Sequence, residues 1–234
     1  MEGSERPGGV VLLSGGLDSS TVLAMAMERG FAITAVTIDY GQRHVRELDS
    51  ARRVAGSAGV EDHLVLKLDM GGALDSSLTR EDLEVPCDRD IESIGTGIPS
   101  TYVPSRNIIF LSVAASIAES RGAEAVFIAA NSVDFSGYPD CAPEYLEAFQ
   151  RMLDVGTKAG RDGRGIRIEA PVLRMTKKEI VSEAVRLGVP LELTWSCYTG
   201  GDRACGRCDS CLLRLRGFAQ AGLDDPIEYE EGVR

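Results

Sequence analysis

The sequence predicts an α/β fold: a doubly wound, parallel five-stranded sheet with a small cysteine-rich subdomain at the C-terminal end. Three observations carry this expectation. Short apolar runs alternate with segments whose apolar residues recur at helical spacing, the signature of successive βαβ units. The first of these units turns from strand to helix through Ser14-Gly15-Gly16. Four cysteines, Cys197, Cys205, Cys208 and Cys211, fall within fifteen residues near the end of the chain.

The elements follow in order. Met1 to Gly9 has no apolar core and reads as a flexible lead-in, not a signal peptide. Val10 to Leu13 is a buried strand. From Asp18 a helix buries Val22, Leu23, Ala26 and Met27. Ala32 to Asp39 is the second strand and Tyr40 to His44 a loop. Arg46 to Ala58 is a helix with one apolar face through Leu48, Ala51, Val54, Ala55 and Ala58. His63 to Leu68 is the third strand. Residues 71–104, rich in Ser, Thr, Asp, Gly and Pro, form a loop long enough to suggest a lid or substrate loop. Ile108 to Ala118 is apolar nearly all round and predicts a buried helix. Ala125 to Ala130 is the fourth strand, Asn131 to Glu144 a polar loop, and Glu144 to Val155 a helix. After the Gly160–Gly165 turn, Ile166 to Val172 is the fifth strand. Thr176 and Glu179 have the spacing of a capping box, opening a helix that Gly188 and Pro190 stop. The acidic tail after Pro226 is expected to be mobile. The domain expectation is 1–190 for the α/β unit and 191–234 for the cysteine-bearing subdomain.

Composition narrows the function. The formal net charge is −11. A chain that grips a polyanionic nucleic acid usually carries a basic face, so a small-molecule substrate is favoured over RNA or DNA. The sequence holds no apolar run long enough to span a membrane. Clustered cysteines fit a reducing, cytoplasmic compartment better than secretion.

The strand–turn–helix at residues 10–27 aims backbone N–H groups and a helix N-terminus at one point, which makes an anion site. The hydroxyls of Ser14, Ser19, Ser20 and Thr21 add donors. A Walker loop would require a Gly-Lys-Ser/Thr that is absent, and the dinucleotide pattern G-x-G-x-x-G is absent too. Asp39 stands at the carboxyl end of the second strand, where a carboxylate often meets a ribose. His44 and His63 are candidate general bases, although a strand histidine such as His63 is more often structural. The Cys205-x-x-Cys208-x-x-Cys211 run with Cys197 supplies four thiolates for one tetrahedral ion. Zinc and an iron–sulfur cluster both suit four sulfurs, and the missing Cys-Pro favours zinc in a closed, structural site. Cys87 and Cys141 are left over and read as ordinary small residues.

The string Ser14-Gly15-Gly16-Leu17-Asp18-Ser19 resembles the PP-loop, S-G-G-x-D-S, of ATP pyrophosphatases. Further motifs are Asp39-Tyr40-Gly41-Gln42-Arg43, Val103-Pro104-Ser105-Arg106-Asn107, Ser136-Gly137-Tyr138-Pro139-Asp140-Cys141 and Trp195-Ser196-Cys197-Tyr198. Together with the spaced cysteines, these make the chain resemble the 7-cyano-7-deazaguanine synthase family over about Val10 to Leu215. The resemblance implies a PP-loop (HUP-like) fold and an ATP-dependent ligase that converts 7-carboxy-7-deazaguanine and ammonia into the nitrile. The route is an adenylated carboxylate and then an amide, in queuosine or archaeosine precursor synthesis. It implies ATP at Leu12, Leu13, Ser14, Gly15, Gly16, Leu17, Asp18, Ser19, Ser20, Thr21 and Val22, with Asp39. Asp18, Arg106 and Lys177 become the catalytic candidates, with Asp18 ordering the loop or holding Mg²⁺. Asp134, Tyr138 and Asp140 are the candidates for reading the deazaguanine edge. Cys197, Cys205, Cys208 and Cys211 are the expected Zn²⁺ ligands. No nucleic-acid or membrane partner is expected, and a homodimer is left open. Two other readings stay open: a tRNA-modifying adenylating enzyme such as a thiolase, and a non-catalytic zinc-stapled binding module.

Overall fold

The computed structural model describes residues 6–133 and 137–232. The strands are β1 (Gly8–Leu12), β2 (Ala32–Asp39), β3 (Asp62–Lys67), β4 (Ala125–Phe127) and β5 (Arg167–Glu169). All are parallel and ordered β3-β2-β1-β4-β5. The helices are α1 (Leu17–Glu28), α2 (Arg46–Ser57), α3 (Arg106–Arg121), α4 (Pro143–Gly156), the single turn α5 (Lys158–Arg161), α6 (Lys177–Arg186) and α7 (Asp209–Ala221). The chain winds outward from β1 to β3 and then returns to β4 on β1's other side. The carboxyl ends of β1 and β4 therefore form the switch point at which a doubly wound sheet opens a ligand crevice.

Alternation along β1 shows why the strands read as continuous apolar runs. Val10 and Leu12 face one layer, with Val36, Leu111, Ala114, Ala118, Phe149 and Leu153. Val11 and Leu13 face the other, with Val22, Leu23, Ala51, Val54, Phe127, Ile180 and Phe218. Both faces of the sheet are covered, so the central strands are mostly apolar, and the buried Thr37 hydroxyl donates to the Leu13 carbonyl.

Several elements depart from the sequence expectation. Gly8 and Gly9 belong to β1, paired with Ala32 and Ile33, rather than to a lead-in. A side chain at Gly9 would lie 3.1 Å from the rings of Phe31 and Phe127, so glycine here reflects close packing. The fourth and fifth strands are shorter than expected; the residues past Phe127 line a cavity instead of continuing β4. Helix α3 is not buried all round. Asn107, Leu111, Ala114, Ala115 and Ala118 face inward, whereas Ile108 is 42% exposed and Ser112 and Ser116 bond back to the helix carbonyls of Ile108 and Ser112. The capping box of α6 is present with both reciprocal hydrogen bonds.

The long 71–104 segment is a packed strap rather than a free lid. Ser76, Ser77, Leu78, Thr79, Thr101 and Val103 are buried. The Arg43 guanidinium donates to the carbonyls of Ser77, Arg80 and Leu83. Farther on, Cys87 opposes Cys208 in an antiparallel bridge and Arg89 pairs with Asp209 at 2.9 Å. The C-terminal tail is likewise tied down. Ala204 and Glu230 N–H groups donate to Glu228 and Ala204 carbonyls, and the Tyr229 hydroxyl donates to Asp225 at 2.7 Å. Among the described residues no helix is long and apolar enough to cross a membrane.

Candidate active site

A cavity of about 250 Å³ opens at the switch point between β1 and β4. Its floor is the turn after β1. The Ser14 N–H and hydroxyl both meet the Ser19 hydroxyl, at 3.2 and 3.0 Å, which closes the turn on itself. Gly16 is the residue before α1, in extended conformation, and no side chain caps the helix. The first N–H groups of α1 are thus left to a ligand, the condition for anion binding. Leu12, Leu13, Ser14, Gly16, Leu17, Asp18 and Ser19 line the cavity. Ser20 and Thr21 do not: their hydroxyls bond back to the Gly16 and Leu17 carbonyls at 2.7 and 2.8 Å. Val22 is wholly buried in the core. Gly15 has φ +80°, and a Cβ there would lie 2.4 Å from the Ala51 nitrogen. Its glycine is therefore explained by close packing on α2, and its carbonyl accepts from the Trp195 N–H at 2.9 Å.

Lys177 and Asp18 meet at this turn. The Lys177 ammonium lies 2.9 and 2.8 Å from the two Asp18 carboxylate oxygens, and Lys177 is only 5% exposed. A lysine at the first position of α6 faces an unfavourable dipole. Asp18, in the first turn of α1, offsets that charge by direct contact. Gly217 of α7 makes room for the arrangement, since a Cβ there would stand 2.5 Å from Lys177 Cγ.

Arg106, Tyr40, Tyr138, Tyr198 and Glu47 also line the cavity, and the Glu47 carbonyl adjoins the turn after β1, 2.5 Å from where a Cβ on Gly15 would stand. Ser105 adopts the left-handed conformation, φ 57°, a strained state for a residue other than glycine, and Arg106 follows as the first residue of α3. Burial opposes charge on Arg106, but Tyr40 and Tyr138 outweigh it and hold the guanidinium protonated. Burial also pushes the Tyr40 phenol up to about 12. Glu47 sits in the first turn of α2. Burial raises its carboxyl to about 7, against the downward pull of Arg106 and the Gln42 amide.

The Glu47 shift has a stability consequence. A carboxyl raised from 4.5 to about 7 binds its proton more tightly in the folded chain, so its contribution is intact below pH 4.5 and is lost as pH rises toward 7. Glu47→Gln should therefore raise the melting temperature at pH 8, by a free energy on the order of 1–3 kcal/mol, and leave it little changed at pH 4.5. Calorimetry at the two pH values checks the sign.

The remaining sequence candidates separate. Tyr138 lines the cavity and its hydroxyl lies 2.8 Å from that of Thr101. Asp140 turns away from the cavity: its carboxylate accepts from the Asn107 N–H at 3.0 Å, satisfying the start of α3. The Asp39 carboxylate accepts from the Gly41 N–H at 3.3 Å, and Asp39 is not among the cavity-lining residues. Asp134 lies outside the described residues. Neither histidine lines the cavity; His63 is hydrogen-bonded to Thr37 at 2.8 Å, and His44 packs against Gly200. Cys141 is buried beside Asn107, with its thiol pushed up to about 11 by burial.

Residues that sequence reasoning did not single out complete the walls: Glu47, Asn131, Ser210 and Arg214. The Asn131 amide donates to the Val172 and Met175 carbonyls at 2.9 and 2.7 Å, joining the β4 and β5 loops. Arg214 is 1% exposed and held by Asp225 at 2.7 and 2.9 Å and by the Thr194 hydroxyl at 2.7 Å. Trp195 forms part of the roof, with the Arg46 guanidinium 4.0 Å above its ring.

Beyond the roof, Cys197, Cys205, Cys208 and Cys211 are all buried and their sulfurs lie within 4.8 Å of one another. Four thiolates at about 2.3 Å from one tetrahedral ion would stand about 3.8 Å apart, so the cluster could hold a metal. Backbone N–H groups of Tyr198, Cys205, Arg207 and Cys208 point at these sulfurs at 3.3–3.4 Å. Such donors stabilise thiolate charge. Sulfur contacts drive the Cys205 thiol down and those of Cys208 and Cys211 up. Four thiols this close cannot all ionise without a cation between them.

The family model described as "Queuosine biosynthesis protein QueC" matches residues 8–222. A 7-cyano-7-deazaguanine synthase from Thermoplasma acidophilum is 53% identical over 97% of this chain and 94% of its own length. One from Trichormus variabilis is 50% identical over 96% of this chain and 99% of its own length. NMN synthetase from Francisella tularensis superposes with a TM-score of 0.50 over 94% of this chain and 79% of its own, at 13% identity, a likeness of fold alone. With half its residues shared nearly end to end with such synthases and the family model matched over almost its whole length, the chain belongs to the QueC family of queuosine biosynthesis enzymes.

Proposed function

We propose that this chain converts 7-carboxy-7-deazaguanine, ammonia and ATP into 7-cyano-7-deazaguanine. The observation that carries the reading is the cavity itself. Its lining brings together the uncapped start of α1 and Lys177, suited to phosphates, and Arg106, suited to a carboxylate. A carboxylate is a poor electrophile. Transfer of AMP to its oxygen provides a leaving group that ammonia displaces, giving the amide. A second transfer to the amide oxygen, followed by its loss, gives the nitrile.

Each residue then has a task. Ser14, Gly16, Ser19 and the start of α1 grip pyrophosphate. Lys177 places positive charge where negative charge builds on the α-phosphate. Asp18 fixes Lys177 and offers the hard oxygen that the Mg²⁺ accompanying ATP requires. Arg106 orients the substrate carboxylate, and Tyr138 contacts the deazapurine ring. Asp39 and Asp140 act by ordering the loops around the site. The sulfur cluster, a donor set suited to zinc, closes the roof from residues 191–234 without an open coordination position. The acidic balance of the chain favours this small-molecule reading over an RNA-modifying one, and its thiols suit the cytoplasm.

Turnover should release AMP and pyrophosphate in equal amounts, and labelled pyrophosphate should exchange into ATP only when the carboxylate is present. Release of ADP and phosphate would exclude adenylation.

A further inference from the structure

We propose that Glu47 is the general base that removes protons from nitrogen as ammonia becomes nitrile: it lines the cavity together with Arg106, whereas the other carboxylate lining the cavity among the described residues, Asp18, is held by Lys177. The assignment rests on the nitrile-forming reading above.

The chemistry requires proton removal. Ammonia brings three N–H bonds and the nitrile keeps none. In the first half-reaction the adenylate carbon gains a bond to nitrogen and loses its bond to the AMP oxygen, and one proton leaves the nitrogen. In the second, the amide oxygen bonds the α-phosphorus of ATP and pyrophosphate departs. The carbon–oxygen bond then breaks to release AMP while two further protons leave the nitrogen. Carbon keeps its oxidation level throughout, so neither step needs an oxidant or reductant.

Geometry selects Glu47 for this task. Glu47 lines the same cavity as Arg106 and its carboxyl feels the guanidinium's charge, so it shares the space in which the reacting carboxylate is oriented. The groups facing it are Arg106 from α3, Tyr40 at the end of β2 and the Gln42 amide. Tyr40 is held protonated by burial and Arg106 is permanently charged, which leaves Glu47 to change charge in the neutral range. A base is most effective when its pKa lies near the operating pH, and Glu47 sits at about 7. Neither histidine reaches the cavity.

The test is a pH profile of kcat/KM for ammonia, expressed per free NH₃ so that ammonium titration drops out. The wild type should show an acid limb with its midpoint near pH 7. Glu47→Gln should lose the limb and fall on the order of 10²-fold. Glu47→Asp should keep the limb at reduced height. Carboxylate-dependent ATP–pyrophosphate exchange, which takes no proton from nitrogen, should change by less than about threefold in either variant. A Glu47→Gln enzyme that keeps the limb, or that loses exchange and nitrile formation together, would overturn the assignment while leaving the synthase reading standing. Absence of carboxylate-dependent exchange in the wild type would overturn the synthase reading, and this assignment with it.

Discussion

Cys208→Ala should release the metal, loosen the chain from Trp195 onward and abolish activity as a consequence. Cys208 is fully buried, precedes α7 as its N-cap residue and faces Cys87 of the strap across a β-bridge. The apolar cluster around the four sulfurs is small: Trp195, Ala204 and Ile227 are buried besides the cysteines themselves, with Val85, Cys87, Tyr198 and Tyr229 partly buried against them. Structural zinc binding supplies on the order of 10–16 kcal/mol in small zinc domains, comparable to the whole stability of a typical protein. A segment with so little apolar burial cannot replace that. The damage should spread along two routes. Helix α7 carries Arg214 and the glycine that accommodates Lys177, and Trp195 donates to the Gly15 carbonyl in the phosphate turn. Metal content, limited proteolysis and nitrile-forming rate measured on one preparation decide the point. Metal near zero, new cleavage between 195 and 211 and lost activity are expected together. Intact protease resistance with lost activity alone would make the metal catalytic.

Asp18→Asn and Lys177→Ala should each lower kcat on the order of 10²–10³-fold, and the double variant should be little worse than either. The two side chains meet through both Asp18 oxygens at 2.8–2.9 Å, so removing one disables the other. Contacting residues that act as a unit are non-additive. Asp18→Asn should also cost about 1–3 kcal/mol of stability, because it weakens the anchoring of a deeply buried ammonium. A measured double-mutant cycle with additive losses would separate the pair into independent roles.

The strand–helix alternation is legible because the central strands β1, β2 and β4 are largely buried and α2, α4 and α6 each present one apolar face. The second strand, the capping box and the four-cysteine cluster lie where local pattern places them. Helix α7 escaped the reading because its buried face includes Cys211, Arg214 and Gly217. Its buried Leu213 and Phe218 stand five residues apart, with the ion-paired arginine and the glycine between them, so the apolar spacing is not helical. The tail after Pro226 was misjudged for a related reason. Its acidic residues suggest solvent, yet Tyr229 bonds Asp225, the partner of Arg214, and the backbone of Glu228 and Glu230 pairs with Ala204, ties that acidic composition does not reveal. At the site, a motif places a residue near the chemistry without saying which way it turns. Lys177 and Tyr138 line the cavity, whereas Asp140 serves the start of α3 and Ser20 and Thr21 serve their own helix. Glu47 stood out in neither composition nor spacing, because its interest comes from burial beside Arg106.

The central claim is that AMP is transferred first to the carboxylate oxygen and then to the amide oxygen. Substrate labelled with ¹⁸O in both carboxylate positions tests it directly. Purified chain with ATP, Mg²⁺ and ammonium should yield unlabelled nitrile and two AMP per nitrile, each AMP carrying one ¹⁸O. Label found in inorganic phosphate, or AMP released without label, would contradict the account.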